Sequence, residues 1–159
     1  MPLSGSTQRE LKEEKMKADA KTEAAVMSTL NRVIEAYVNR DMDSALACFA
    51  PDPDLVYIGT GVDEKRLGPN EVRMQLERDW AQTEAVSIEL GWRSVSAAGS
   101  VAWVASDIIV RAKASGQEIS FLGRFTAVLE QRKGRWFIMQ RHFSVPAREQ
   151  AEGESLPLK

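Results

Sequence analysis

The stretch Gln117–Pro146, "QEISFLGRFTAVLEQRKGRWFIMQRHFSVP", decides the fold. It is rich in β-branched and aromatic residues and is split once, by a Gly-containing turn at "RKGR", so it reads as two strands of a hairpin. Upstream, "VSIELGWRSVSAAG" and "SVAWVASDIIVRAKA" have the same character and are again separated by Gly-containing turns. Four consecutive strands joined by short turns must run antiparallel.

The first half of the chain is mostly helical in pattern. Val26, Leu30, Val33, Ile34 and Tyr37 recur at spacings of three and four and line one helix face. "NRDMD" interrupts that pattern; Asp43 is placed to cap a short second helix, "SALACF", which Pro51 and Pro53 close. "DLVYIGTG" reads as a short strand. "RLGPNEVRMQLERDW" reads as a third helix, with Pro69 in its first turn and Val72, Leu76 and Trp80 on one face. Helices grouped against one face of an antiparallel sheet give an α+β domain. Met1 to roughly Lys21 has no face to bury and reads as a polar arm, residues 22–146 as the domain, and residues 147–159 as a polar surface tail.

Bulk composition narrows the function. The chain has 159 residues, enough for one domain with a core, and 21 basic against 23 acidic residues give a net charge of −2. The basic residues are scattered, so no nucleic-acid partner is expected. A single cysteine, Cys48, and a single histidine, His142, leave neither a disulfide nor a structural zinc site, and no metal or cofactor is expected. No run reaches the roughly 20 apolar residues of a membrane helix. The N-terminus lacks the apolar core of a signal peptide, so the expected compartment is the cytoplasm. "GTG" at Gly59–Gly61 is followed by no Gly-Lys-Ser/Thr and reads as a strand-ending turn, not a phosphate loop. Ser144, two residues from His142 on one strand, points parallel to it and makes no nucleophile–base pair. Trp92 and Trp136 read as packing residues.

Turn geometry fixes which side chains meet across strands. An even loop centred on Ser115–Gly116 puts Asp107 opposite Arg124. A three-residue loop with Gly134 at its left-handed position pairs Gln131 with Arg135. Arg124 then meets His142, Thr126 meets Gln140, and Val128 meets Ile138. The result is a polar row of Asp107, Arg124 and His142, with Trp103, Thr126, Gln140 and Ser144 on its face. Val104, Ile108, Phe121, Phe125, Leu129, Phe137, Met139 and Phe143 occupy the other. A two-residue loop at Lys133–Gly134 would instead put Arg124 against Phe143 and His142 on the opposite face. Both faces carry apolar residues, so a second copy of the chain packed on the outer face is the economical way to cover it.

"RVIEAYVNRDMDSALACFAPDPDLVYIGTG", the Gly68–Pro69 helix start and "GRWFIMQRHFSVP" resemble the SnoaL-like branch of the NTF2-like superfamily, over roughly Thr22 to Pro146. The resemblance implies a cystatin-like cone, a curved, mainly antiparallel sheet wrapped around N-terminal helices with a pocket at its open end. It also implies frequent homodimers. Members include polyketide cyclases, ketosteroid isomerases, dehydratases and non-catalytic binding modules, so function rests on the site and not on the fold.

On that template the polar row faces the cone interior. His142 is then a candidate proton carrier or a structural imidazole. Asp107 is a candidate catalytic carboxylate or the salt-bridge partner of Arg124. Arg124 is a candidate ligand anchor. Tyr57, Trp80, Trp103, Thr126 and Gln140 are candidate pocket walls. Three functions stay open: binding of a small, partly apolar organic ligand without catalysis, a cofactor-independent isomerase, cyclase or dehydratase using His142, and a homo-oligomeric assembly domain.

Overall fold

The computed structural model describes residues 16–157. Its elements in chain order are α1 (Ala20–Val38), α2 (Met42–Leu46), β1 (Val56–Ile58), β2 (Lys65–Leu67), α3 (Gly68–Gln82), β3 (Ala85–Ala98), β4 (Val101–Ala114), β5 (Gln117–Arg132) and β6 (Arg135–Ser144). The six strands form one sheet in the order β2-β1-β6-β5-β4-β3. Only the β1–β6 pair is parallel. This is the α+β arrangement expected from the strand pattern.

Each helix starts where its sequence supplies a partner for free amides. The Asp19 carboxylate accepts from the Thr22 amide (2.7 Å) and opens α1. Asp41, not Asp43, caps α2 by accepting from the Ser44 amide (3.0 Å). Asp43 sits inside the first turn instead, and the helix stops at Leu46, before Cys48 and Phe49. In α3, Pro69 occupies the first turn and Glu71 reaches back to the Leu67 amide (2.7 Å). Gly68, at φ 77°, makes the entry corner, and its amide donates to the Leu55 carbonyl (2.8 Å).

The core lies between the helices and one face of the sheet. Val26 and Leu30 from α1, Leu55, Val72 from α3, Leu129 from β5 and Ile138 from β6 are buried together. Buried Thr29 donates to the Trp136 carbonyl (3.1 Å) and ties α1 to β6. Residues 1–15 of the expected arm lie outside the described residues. Its remainder belongs to the domain: Lys17 bridges Ser96, the Ala18 amide donates to the Val95 carbonyl (3.1 Å), and Ala18 is buried. Beyond Ser144 the chain runs on in exposed turns as far as Pro157. Among the described residues no helix is long and apolar enough to cross a membrane.

Two bulges bend the long strands. In β3, Leu90 pairs with Ile108 but Arg93 pairs with Ser106, leaving Gly91 and Trp92 against Asp107. The inward set of β3 thereby changes from Val86, Ile88 and Leu90 to Val95 and Ala97. In β6, Leu129 pairs with Ile138 but Val128 pairs with Gln140, so Met139 is the extra residue.

The register of β4 and β5 is as expected, with Ser115 and Gly116 both at positive φ and Asp107 opposite Arg124. The last hairpin differs. Its loop is the two residues Lys133 and Gly134, both at positive φ, and Arg132 pairs with Arg135. The bulge at Met139 then shifts the pairing once more. Thr126 meets His142, Arg124 meets Ser144 and Val128 meets Gln140. The two one-residue departures cancel in parity, so Asp107, Arg124, Thr126, Gln140 and His142 do share a face.

Candidate functional site

That shared face is the outer one. Arg124, Thr126, Gln140 and His142 are exposed, and Asp107 and Trp103 are half-buried. The reason is hydrophobic. The opposite side carries Ile108, Val110, Phe121, Phe125, Leu129 and Phe143, and the apolar faces of α1 and α3 pack where most apolar area leaves water. The expectation that His142, Asp107 and Arg124 line the interior is therefore corrected. Trp103, Thr126 and Gln140 border a shallow outer depression with Ser94 and Val128. Phe137, expected on the apolar side, pairs with Glu130 and lies outside, with the Arg135 guanidinium 5.2 Å above its ring.

The inner side encloses a cavity of about 270 Å³ between α1, α3 and the bent sheet, with the β1–β2 connection at one edge. Of the residues expected at the site only Tyr57 lines it, and it is buried. Trp80 stands behind the wall. Its indole N–H donates to the Tyr37 carbonyl (3.0 Å), and its ring lies 6.0 Å from that of Tyr37. The walls are mostly apolar, with Val33 from α1, Ile108 and Val110 from β4, and Phe121, Phe125 and Phe143 from β5 and β6. Phe121 and Phe143 stack at 6.1 Å. Phe143 has room for its ring because it lies over Gly123, where a Cβ would stand 2.8 Å from Phe143 Cζ.

Into this apolar space project a few polar groups. Asp79, on α3, is the central one. Its Oδ2 accepts from the Tyr37 hydroxyl (3.0 Å) and its Oδ1 from the Gln75 amide (2.7 Å). Gln75 is held in turn: its oxygen accepts from Arg66 Nε (2.9 Å), and its nitrogen also donates to Glu64 (3.3 Å). Glu64 accepts from Arg78 (2.8 Å) and from the Gly61 amide (2.9 Å). Arg141, from β6, lies with its guanidinium carbon 3.5 Å over the ring of Tyr57 and donates to the Ile58 carbonyl (3.3 Å). The parallel pairing of β1 with β6 sets Tyr57 directly beside Arg141.

These groups titrate unequally. Burial pushes the Asp79 carboxyl above the ordinary aspartate value, against the opposing pull of its Gln75 and Tyr37 hydrogen bonds. Burial also raises Glu64, but the Gly61 amide and the Arg78 guanidinium outweigh it and leave Glu64 lowered. Burial first, then the neighbouring Asp79 carboxylate, drives Tyr37 far above an ordinary phenol, so it stays a hydrogen-bond donor. Two carboxyls in one cavity are thus shifted in opposite directions, Asp79 upward by burial and Glu64 downward by the Gly61 amide and Arg78. Such separation is how carboxyls acquire distinct acid and base roles.

Asp79, Gln75 and Arg141 are not singled out by the sequence, and Glu64, which reads with Lys65 and Arg66 as a solvated turn, is instead half-buried in the cavity lining. A signal for the first two was present. The buried stripe of α3 runs through Val72, Gln75, Leu76 and Asp79, so two polar side chains sit in the apolar stripe itself. Arg141 also carried a signal: the expected register already places it on the apolar face two residues before Phe143, and the loop and bulge departures cancel, so it lies on that face in the structure.

A family model of the SnoaL-like domain matches residues 26–148, most of the chain. No curated protein matches it in sequence. Among solved structures, an NTF2-like superfamily protein from Salmonella enterica serovar Typhimurium superposes with a TM-score of 0.76 at 18% identity, over 87% of this chain and 100% of that one. A proposed dehydratase of the NTF2-like family from Streptomyces avermitilis gives 0.73 at 18% identity, over 81% and 99%. A proposed scytalone dehydratase from Novosphingobium aromaticivorans gives 0.71 at 12%, over 79% and 85%. At these identities the likeness is one of fold. With the cone and its cavity described and the family model matched across both, the chain belongs to the SnoaL-like family, on the NTF2-like, cystatin-like fold.

Proposed function

We propose that this protein binds a small, partly apolar organic molecule in the cavity and moves a proton on it with Asp79. The observation that carries this reading is the Asp79 carboxyl itself, raised by burial in an apolar cavity and oriented by Tyr37 and Gln75. A carboxyl whose pKa is lifted toward the working pH serves as both acid and base. On an enolisable carbonyl compound, Asp79 takes the proton from the α-carbon. The C–H electron pair moves into the enolate; returned to the same carbon by protonated Asp79 the proton is only exchanged, and returned to the γ-carbon of a β,γ-unsaturated compound it shifts the double bond. That is an isomerisation; where the β-carbon bears a hydroxyl, the electron pair forms the double bond, and the hydroxyl leaves as water with the proton from Asp79. The proposed dehydratases among the structural neighbours support the class. The cavity, below the roughly 300–1,000 Å³ of drug-sized pockets, suits a molecule of one or two rings.

The test is deuterium incorporation from D₂O into small enolisable ketones such as 2-tetralone, followed by NMR. Wild type and His142→Ala accelerate exchange, and Asp79→Asn does not. Equal exchange with Asp79→Asn and wild type would sink the reading.

We also infer that the outer sheet face covers a second copy of the chain. Trp92 and Leu122 are exposed there and Trp103 is half-buried, and apolar side chains gathered on one sheet face favour an interface.

A further inference from the structure

We propose that the cavity selects carboxylates, with Arg141 as the anchor for the acid group; the proposal names the substrate class for the site just assigned and rests on that cavity being the working one. A guanidinium carries five N–H donors and a permanent charge, and drawing it away from water is costly unless that charge is met. Among the described residues Arg141 has one hydrogen bond, to the Ile58 carbonyl, and no carboxylate within 4.0 Å. Its remaining contact is stacking, over Tyr57 at 3.5 Å and toward Phe125 at 5.9 Å.

The acidic groups of the cavity are otherwise engaged. Glu64 is taken by Arg78 and Gly61, and Asp79 by Tyr37 and Gln75. No buried side-chain nitrogen in the described residues lacks a partner, so the unpaired N–H groups of Arg141, a half-buried residue of the cavity lining, keep contact with water. A stacked guanidinium is held flat by the ring beneath it, which leaves its edge as a fixed fork for a planar anion. A carboxylate matches that fork with two parallel hydrogen bonds.

Shape agrees with charge. From Arg141 the wall continues through Phe125 and Phe143 to Phe121, Ile108 and Val110, with no charged group along it. A ligand with an acid at one end and a planar apolar body fits this gradient, with Asp79 facing the part of the molecule nearest the acid. An enolisable keto acid or a β-hydroxy aryl acid has that form. The lone imidazole has no part in this recognition, since His142 is outside.

The experiment pairs isosteres. Binding of 3-phenylpropionate and trans-cinnamate is measured by calorimetry at pH 7.5 against 3-phenylpropionamide and cinnamamide, with wild type, Arg141→Met and Asp79→Asn. Each acid should bind wild type at least tenfold more tightly than its amide. Arg141→Met should abolish that preference while leaving amide affinity within threefold. Asp79→Asn should keep or enlarge the preference, since it removes an anionic neighbour. Acids binding no tighter than amides to wild type, including no saturable binding by either, overturns the proposal without any variant having to fold. A preference that survives Arg141→Met overturns the assignment to Arg141. Acid selectivity with no Asp79-dependent deuterium exchange would leave the anchor standing and remove the proton-transfer reading, so the two fail separately.

Discussion

Replacing Gly123 by alanine puts a methyl group into space that Phe143 occupies. The added Cβ would lie 2.8 Å from Phe143 Cζ and 2.7 Å from the Ser144 carbonyl oxygen, where unstrained carbon contacts fall at about 3.5–4.0 Å. The two neighbours respond differently. The ring can swing, because the cavity is open beside it. The carbonyl is less free, since it belongs to the backbone of Ser144, which pairs with Arg124 across the sheet. Gly123 carries no positive φ, so the constraint is space and not backbone conformation. Overpacking of this kind costs about 1–3 kcal/mol. Alanine returns about 0.5–1 kcal/mol by restricting the unfolded strand. The difference spans about 0–2.5 kcal/mol, and the constrained Ser144 carbonyl places it in the upper part, about 1–2 kcal/mol, or about 2–8 °C in Tm for a chain of this length. The displaced ring also narrows the cavity, so ligand affinity should fall together with stability. Thermal melts and calorimetric binding on one preparation measure both. A Gly123→Ala protein as stable as wild type, with undiminished affinity, would refute the reasoning that Phe143 lies where the glycine leaves room.

Three further outcomes follow from the site and the sheet. Asp79 is raised in the folded state, so its contribution to stability is fully present below the unfolded aspartate pKa and is lost as pH rises through the folded value; Asp79→Asn should therefore melt higher than wild type at pH 7, with the gap closing as the pH falls, and a constant gap across pH would contradict this. Tyr37→Phe removes one of the two donors that hold Asp79 down, so a carboxyl-carbon NMR titration should show Asp79 rising further, with about 1 kcal/mol lost in urea melts; an unmoved titration would show that the hydroxyl does not act on the carboxyl. Trp103→Asp should convert a particle of twice the chain mass into one of single mass in light scattering, and a wild type of single mass at high concentration would exclude the outer-face pairing.

Much of the architecture could be read from residue order. The four long strands, the helix opened by Pro69 and the Asp107–Arg124 pairing all follow from local patterns, because two-residue loops and 3.6-residue stripes act over short distances. The last hairpin resisted for a local reason. Lys133 adopts a positive φ that a lysine seldom takes, and the sequence favoured Gly134 alone in that role. The bulge at Met139 carries no glycine or proline to announce it. Facing was lost for a different reason. Which side of the sheet meets the helices is settled by the sum of apolar area on each side, and a polar row on one side argues for exposure unless something covers it. The polar pair Gln75 and Asp79 is legible in α3, but it shares the stripe with Val72, Leu76 and Trp80, whose spacing alone already accounts for a core-facing helix.

The extra residue in β6 makes that strand a text with two reading frames. In the frame adopted, Arg141 and Phe143 look into the cavity, and Gln140, His142 and Ser144 look out. A bulge moved past residue 142 would turn Gln140 and His142 inward and send Arg141 outside, without a single substitution. Cation and imidazole are therefore alternative spellings of one wall, chosen by where the strand stutters. Relatives on this fold can exchange pocket chemistry through a one-residue insertion and a compensating deletion, and an ungapped alignment would then equate residues that stand on opposite sides of the sheet.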